Sequence, residues 1–495
     1  MWTIDGHLGY DPDDTDPESW LRSGFPARYI YEKILPEVVA EHSPGTAYRR
    51  GSPYGNAMRP DGGALAIGDT HQWSVWHGSQ APYQDFDRLA GRFVSEFGME
   101  AYPHVATIDA FLPPPDPGAG DNTDNPGERA AGSATVEFHN KASGAARRLA
   151  GYLAENLAFD EAPLEAFVYS TQLLQAEALA TAFRLWRRNW QGPGRELTSG
   201  ALVWQLNDCW PAASWAVVDH LLRPKAAFYA IRRELAPVVL AAQRRVVTTP
   251  RDRYTHAHVI ITYRLAVWLS ALPSSLPSSW QQQQQQQQRQ QEEEEEEKEE
   301  GPGLCRLVSK AFDVASGQLL VSETIARDIE LPTNRSVELA DVLVPGVSTA
   351  ATAPQPPTAV VVVLYLLGAD GRHVARCVSW PDPLKHVPLH HHPQISALLW
   401  RGVLRLSVDR PVKGLVVEGG PSLELEDNGV DLVPGEIYQI GLVGAEDGGG
   451  DAEDSVAGEL TVRFYGGGER GATVVVQRVH SHDCSGDDGR LVVSA

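Results

Sequence analysis

The segment Arg92-Phe-Val-Ser-Glu-Phe-Gly-Met99 puts one carboxylate, Glu96, among Phe93, Val94 and Phe97, in a run that otherwise suits a buried strand and ends in a permissive glycine. Taking a lone carboxylate out of water is costly, so such a group is either paired or employed as an acid, base or nucleophile. On this segment alone, an ion-paired structural glutamate is the simpler reading. Upstream, Gly68-Asp-Thr-His-Gln-Trp-Ser-Val-Trp-His-Gly78 gathers His71, Trp73 and Trp76 beside another expected strand end. Downstream, Leu202-Val-Trp-Gln-Leu-Asn-Asp-Cys-Trp210 repeats the mixture with Trp204, Asn207 and Asp208. The C–H faces of a pyranose stack on aromatic rings while its hydroxyls need Asp, Asn, His and Glu, so these segments suit carbohydrate. The competing reading makes Trp73, Trp76, Trp204 and Trp210 core residues, and at least one is expected to be only that. Asn207 and Asp208 fit hydroxyl binding and loop bracing equally well.

The elements that must carry these residues fall into two regimes. Up to about residue 240, helical periodicity alternates with short apolar runs, the behaviour of an α/β region. Phe25 to Val39 reads as a helix; Leu149, Leu153 and Leu157, then Leu179, Phe183 and Trp186, mark two more; Gly91–Gly98 and Gly200–Asp208 read as buried strands. The stretch from Pro113 to Gly132 is a polar loop. Beyond residue 240, β-branched runs such as Val259 to Tyr263, Ala359 to Leu366, Val403 to Val408 and Leu460 to Tyr465 predict sandwich-like β structure. A Pro and His cluster around 388–393 divides it into two domains, 241–388 and 389–495. The tract 281–300, glutamines then glutamates, cannot bury apolar area and reads as a solvated insertion. The triplet beginning at His390 lacks Cys or carboxylate partners at ligand spacing and reads as linker rather than metal site.

Taken together, Thr70-His-Gln-Trp with Val75-Trp-His-Gly, Ser95-Glu-Phe-Gly-Met and Val203-Trp-Gln-Leu-Asn-Asp-Cys-Trp-Pro211 resemble family 2 glycoside hydrolases of the β-mannosidase group. Phe25-Pro-Ala-Arg-Tyr-Ile-Tyr-Glu, Gly51-Ser-Pro-Tyr-Gly, Phe138-His-Asn-Lys and Leu222-Arg-Pro-Lys-Ala-Ala-Phe-Tyr229 are similar to the fungal intracellular members, so the resemblance covers roughly residues 10 to 240. It implies a retaining exo-hydrolase of terminal β-mannose, with residues 1–240 as the C-terminal part of a (β/α)8 barrel, incomplete here, followed by two immunoglobulin-like β-sandwiches. Carried over by motif, Glu96 is the nucleophile that forms a covalent mannosyl-enzyme, and His71, Trp73, Trp76, Trp204, Asn207 and Asp208 surround the sugar. The family takes its acid/base glutamate from an Asn-Glu pair upstream of the stretch resembling Asp11 to Tyr31. Nothing in Met1 to Tyr10 matches that pair, and Glu18 stands in a polar, proline-containing loop, so this chain is expected to lack the acid/base. Two alternatives remain open at this point: a non-catalytic carbohydrate-binding remnant, and a family 2 hydrolase for another β-glycoside.

Composition narrows the partners. The 495 residues are 42% hydrophobic with a formal charge of -22, which suits a globular chain and disfavours nucleic acid or an anionic membrane. Four scattered cysteines suggest no disulfide framework and point to a reducing, intracellular setting, with neither a signal peptide nor a membrane span expected. A carboxylate mechanism needs no metal or cofactor, and the expected partner is a small β-mannoside oligosaccharide.

Overall fold

The structure, a computed structural model, describes residues 27, 29–49, 51–53, 68–113, 129–159, 163–250, 259–272, 304–345, 349–350, 359–388, 392–418, 423–443, 458–467 and 472–478. Glu18, the N-terminal segment, most of the loop 113–132, the tract 281–300, His390 and His391 lie outside the described residues.

The first half alternates helices and short strands. A π-helical turn, Ile30–Ile34, runs into α1 (Leu35–His42); β1 (Thr70–His71) and β2 (Val94–Glu96) follow. Then come α2 (Val105–Phe111), α3 (Ala134–Phe138), α4 (Ala145–Asn156), α5 (Leu164–Arg188) and α6 (Ala226–Glu234). Local chemistry sets several ends: Ser133 accepts a hydrogen bond from the Val136 amide and starts α3, and Gly144, at φ +70°, precedes α4. The leucines expected to mark helices face inward, with Leu149, Leu153, Leu179 and Trp186 all buried.

Strands β1 and β2 pair in parallel, Thr70 beside Val94 and His71 beside Glu96. Their close approach depends on Gly91, where a β-carbon would lie 2.7 Å from the Thr70 hydroxyl. A parallel bridge joins Val94 to Ala201, and the Leu202 and Trp204 amides donate to the carbonyls of Val94 and Phe97, both at 2.8 Å. The expectation of a buried strand over Gly200–Asp208 is corrected here. Past Ala201 the chain is irregular, and Leu202, Trp204 and Leu206 are exposed in alternation. The apolar run suggested full burial, whereas Val203 and Gln205 are only half-buried and the residues flanking them are largely exposed.

The second half is all β. One sheet runs β10-β9-β5-β6, where β5 is Cys305–Asp313, β6 Leu319–Ile329, β9 Val360–Leu367 and β10 His373–Ser379. Another runs β3-β4-β7, built from Val238–Pro250, Val259–Ala271 and Arg335–Leu343, with the short β8 (Thr349–Ala350) on β4. Their facing side chains, including Leu265, Val267, Leu307, Val362 and Leu364, share one core. The Val-rich β9 is buried along nearly its whole length, as its unbroken apolar run requires. A seven-stranded sheet follows, in the order β14-β13-β16-β17-β11-β12-β15, from β11 (Ile395–Trp400), β12 (Val403–Val408), β13 (Val412–Glu418), β14 (Val430–Leu432), β15 (Tyr438–Gly441), β16 (Gly458–Arg463) and β17 (Ala472–Arg478). It has its own core around Leu404, Leu415, Leu432 and Ile440.

By contacts the chain divides into two compact units, residues 1–99 with 181–206, and residues 100–180 with 207–495. Within the second unit, the last sheet is tied to the helices by a buried cation. Lys413 Nζ lies 2.7 Å from Glu177 on α5 and 3.0 Å from Asp431 on β14. Burial alone would push this ammonium toward its neutral form, but the two carboxylates outweigh that and its pKa is raised. Beside it, Tyr169 donates to the Gly414 carbonyl at 2.9 Å. A β-carbon at Gly414, which stands at φ +60°, would come within 2.8 Å of Leu173. Replacing Lys413 by Met should leave two half-buried carboxylates facing each other and cost about 3 kcal/mol of stability, read as a lower urea midpoint at unchanged slope.

Candidate active site

The register of β1 and β2 dictates the site in the first unit. Because His71 pairs with Glu96, and the Gln72 amide donates to the Glu96 carbonyl at 2.7 Å, the two side chains emerge together. His71 Nδ1 lies 3.3 Å from Glu96 Oε2. Trp73, two residues on, donates its indole N–H to the same oxygen at 3.0 Å. Glu96 keeps 19% of its side chain exposed, so it is held by the protein and still open to a reactant. The next residue, Phe97, is fully buried between Phe183 and Trp186, with ring centroids 5.2 and 4.7 Å away, and Phe86 completes the cluster. That aromatic cluster fixes the strand end from which Glu96 projects.

A polar chain continues behind His71. Ser52 Oγ is 2.9 Å from His71 Nε2, and the hydroxyls of Ser52 and Ser95 each approach Asp69 Oδ2 at 2.5 Å. The Ser52 proton is thus given to Asp69, which leaves its oxygen to accept from Nε2–H of His71. In that arrangement a neutral His71 turns a bare Nδ1 toward Glu96, and a protonated one turns an N–H. Burial lowers the His71 pKa against the opposing pull of Glu96 and Asp69. The neutral form, with no positive charge neutralising Glu96, is the one burial favours. Asp69, Ser52 and Ser95 were not singled out in the sequence; Asp69 stood inside the Gly68–Gly78 segment, but a carboxylate in a polar loop carries no signal of its own.

Of the expected site residues, Trp204 in this unit is 44% exposed, an aromatic face open to solvent. Trp76 is corrected: it is fully buried and cannot present a face to a sugar in this conformation. The turn after Trp73, closed by the His77 and Gly78 amides donating to the Trp73 carbonyl, holds Trp76 at φ +76° and swings its ring inward. A left-handed tryptophan costs about 1–2 kcal/mol, so the surrounding packing must over-determine it.

Asn207 and Asp208 belong to the second unit. Asn207 is exposed and donates to the Asp208 carbonyl at 3.2 Å. Asp208 is buried and receives the Ser214 hydroxyl at 2.8 and 2.7 Å, so it braces its loop. Near it lies a pair the sequence reading missed. Glu100 is fully buried, accepts from Asn140 Nδ2 at 2.6 Å, and its pKa is pushed up to about 8 by burial, against the opposing effects of Lys225 and Asn140. Lys225 donates to the carbonyls of Ala101 and Ser214 at 2.9 and 3.2 Å, and burial lowers its pKa to about 8. The rule that flagged Glu96, a carboxylate inside an apolar run, applied to Glu100 as well. Among the described residues no group of three or more His, Cys, Asp or Glu is placed to hold a metal ion, and no helix is long and apolar enough to cross a membrane.

Comparison with known proteins places these features. The fold matches a β-mannosidase from Dictyoglomus thermophilum with a TM-score of 0.60 at 22% identity, over 91% of this chain and 45% of that one. Residues 304–386 match the Mannosidase Ig/CBM-like domain family. The chain is homologous to the fungal β-mannosidases B: it is 45% identical to that of Thermothelomyces thermophilus over 441 residues, 88% of this chain and 47% of the relative. It is 38% identical to that of Aspergillus clavatus over 446 residues, 89% of this chain and 46% of the relative. The chain therefore spans about half the length of the relatives it matches.

The buried carboxyl predicts a pH dependence. Glu100 in the folded chain holds its proton up to about pH 8, whereas the unfolded side chain releases it near 4.5. Its contribution to stability is thus fully present below pH 4.5 and is lost as pH rises toward 8, with a slope approaching about 1.4 kcal/mol per pH unit. Glu100→Gln keeps an acceptor for Asn140 and should flatten that decline when urea midpoints are measured from pH 5 to 8.

Proposed function

We propose that this chain acts on β-mannosides as a retaining glycoside hydrolase with Glu96 as nucleophile. The observation that carries the reading is a half-buried carboxylate at the end of a parallel strand, held by the Trp73 indole and flanked by His71. The homology to fungal β-mannosidases B supports the sugar. In this reading Glu96 attacks the anomeric carbon, the aglycone departs, and water releases mannose from the covalent intermediate. Trp73 and Trp204 offer aromatic surfaces for the ring, and Trp76 packs behind the site. We read β1, β2 and the Ala201 segment as strands of a (β/α)8 barrel, and residues 241–388 and 389–495 as two immunoglobulin-like sandwiches. Cys209 is an exposed free thiol, which suits a reducing, intracellular setting.

A retaining hydrolase also needs a second carboxyl about 5 Å from the nucleophile to protonate the leaving oxygen. Asp69 commits one oxygen to two hydroxyls and braces its loop instead of reaching for a leaving group. Substrates that depart without a proton therefore isolate what Glu96 does. The chain should release dinitrophenolate from 2,4-dinitrophenyl β-mannoside, and Glu96→Gln should lower that rate on the order of 10³-fold or more. β-Mannobiose, whose leaving hydroxyl needs a proton, should react more slowly than the dinitrophenyl mannoside, whose leaving group does not. Equal release by chain and variant would remove Glu96 from the mechanism.

A further inference from the structure

The second unit carries an ordered group of aromatic rings outside the Glu96 site. His139 stacks on Phe111, centroids 3.9 Å apart and planes 19° from parallel, and on Trp210, 5.5 Å away at 24°. Phe138 meets the same imidazole edge-on at 5.7 Å. The stack is fixed by main chain as well as by ring contact. His139 Nδ1 lies 2.8 Å from the Pro211 carbonyl, the Ala213 amide donates to the His139 carbonyl at 3.2 Å, and Asn140 bridges Ala213. A carbonyl only accepts, so Nδ1 carries a proton and donates it to Pro211.

This order is accompanied by exposure. Phe138 is 64% and Trp210 38% exposed, although rings of this size normally dominate cores and interfaces. Lys141 completes the group, its ammonium 3.5 Å from the Phe138 centroid and 5.7 Å from that of Trp210. We propose that the half-exposed Trp210 indole, backed by His139 and Phe111 and edged by Phe138 and Lys141, is a saccharide-binding platform that stacks a neutral pyranose ring.

The chemistry selects this occupant. A half-exposed indole, held rigid by the nearly parallel rings stacked behind it, offers C–H stacking at little entropic cost, and the neighbouring ammonium and imidazole nitrogens offer polar partners for hydroxyls. The positive charge of Lys141 works against cationic amino sugars. The platform rests on the β-mannoside reading for the identity of the sugar, and a β-1,4-mannoside is the first ligand to try.

The test uses the full chain carrying Glu96→Gln, which prevents turnover, and titrates it calorimetrically with β-1,4-mannotriose and with the glucosamine trimer. Trp210→Ala should weaken mannotriose binding about fivefold to tenfold, and Phe138→Ser, an exposed site whose change does not threaten folding, should weaken it to a smaller degree. The glucosamine trimer should bind less well than mannotriose. The platform is overturned if both variants bind mannotriose as the parent does, or if the parent binds none. It is equally overturned if the variants alter only the sedimentation mass, which would make the patch a contact between copies of the chain. Absent aryl mannoside hydrolysis with Trp210-dependent binding would refute the hydrolase reading and leave the platform. Glu96-dependent hydrolysis with unchanged binding by Trp210→Ala would do the reverse.

Discussion

The arrangement at the candidate site follows from keeping one carboxylate, Glu96, partly out of water at the end of a three-residue strand. A charge in that position must be stabilised by donors fixed before any ligand arrives, since flexible ones would lose entropy each time they closed on it. The turn after β1 supplies the Trp73 indole N–H as donor, the parallel register sets His71 alongside, and the Phe86, Phe97, Phe183 and Trp186 cluster stops the strand end from moving. The left-handed backbone at Trp76 belongs to the same solution: it folds one tryptophan into the core so that its neighbour can point at the carboxylate.

The second unit solves a related problem with buried cations. Lys413 and Lys225 are both enclosed, and each is compensated differently. Lys413 sits between two carboxylates that raise its pKa, so it remains a charge joining a helix to the last sheet. Lys225 has two carbonyls as hydrogen-bond partners, and its pKa falls to about 8, close to the value reached by Glu100 from the opposite direction. Removing one member of such a set leaves the others desolvated without a partner, which makes these positions more sensitive than their contact areas suggest.

Much of this was legible in the chain. Helical spacing located α4 and α5, β-branched runs located β9, β12 and β16 to within a few residues, and the anomaly of a carboxylate in an apolar run drew attention to Glu96, which the fold sets at the end of β2 beside Trp73. What failed did so for physical reasons. An apolar run does not say which of its residues face inward, so Leu202, Trp204 and Leu206 read as buried and are exposed. Two tryptophans three positions apart look equally suited to a sugar until a turn rotates one of them inward, as at Trp76. The roles of Asp69 and Asp208 depend on hydroxyls of Ser52, Ser95 and Ser214, contacts that composition and periodicity do not encode. Glu100 and Lys225 lie 125 positions apart and meet only through the fold.

The account stands on Glu96 as the atom donor to the sugar, and covalent capture tests it most directly. The chain would be incubated with 2-deoxy-2-fluoro-β-mannosyl fluoride, whose fluoride leaves without a proton and whose 2-fluoro group slows release of the intermediate, then digested and analysed by mass spectrometry. The account predicts one added deoxyfluoromannosyl group on the peptide containing Glu96, and none on the Glu96→Gln chain. Modification of another residue, or equal labelling of the variant, would contradict it.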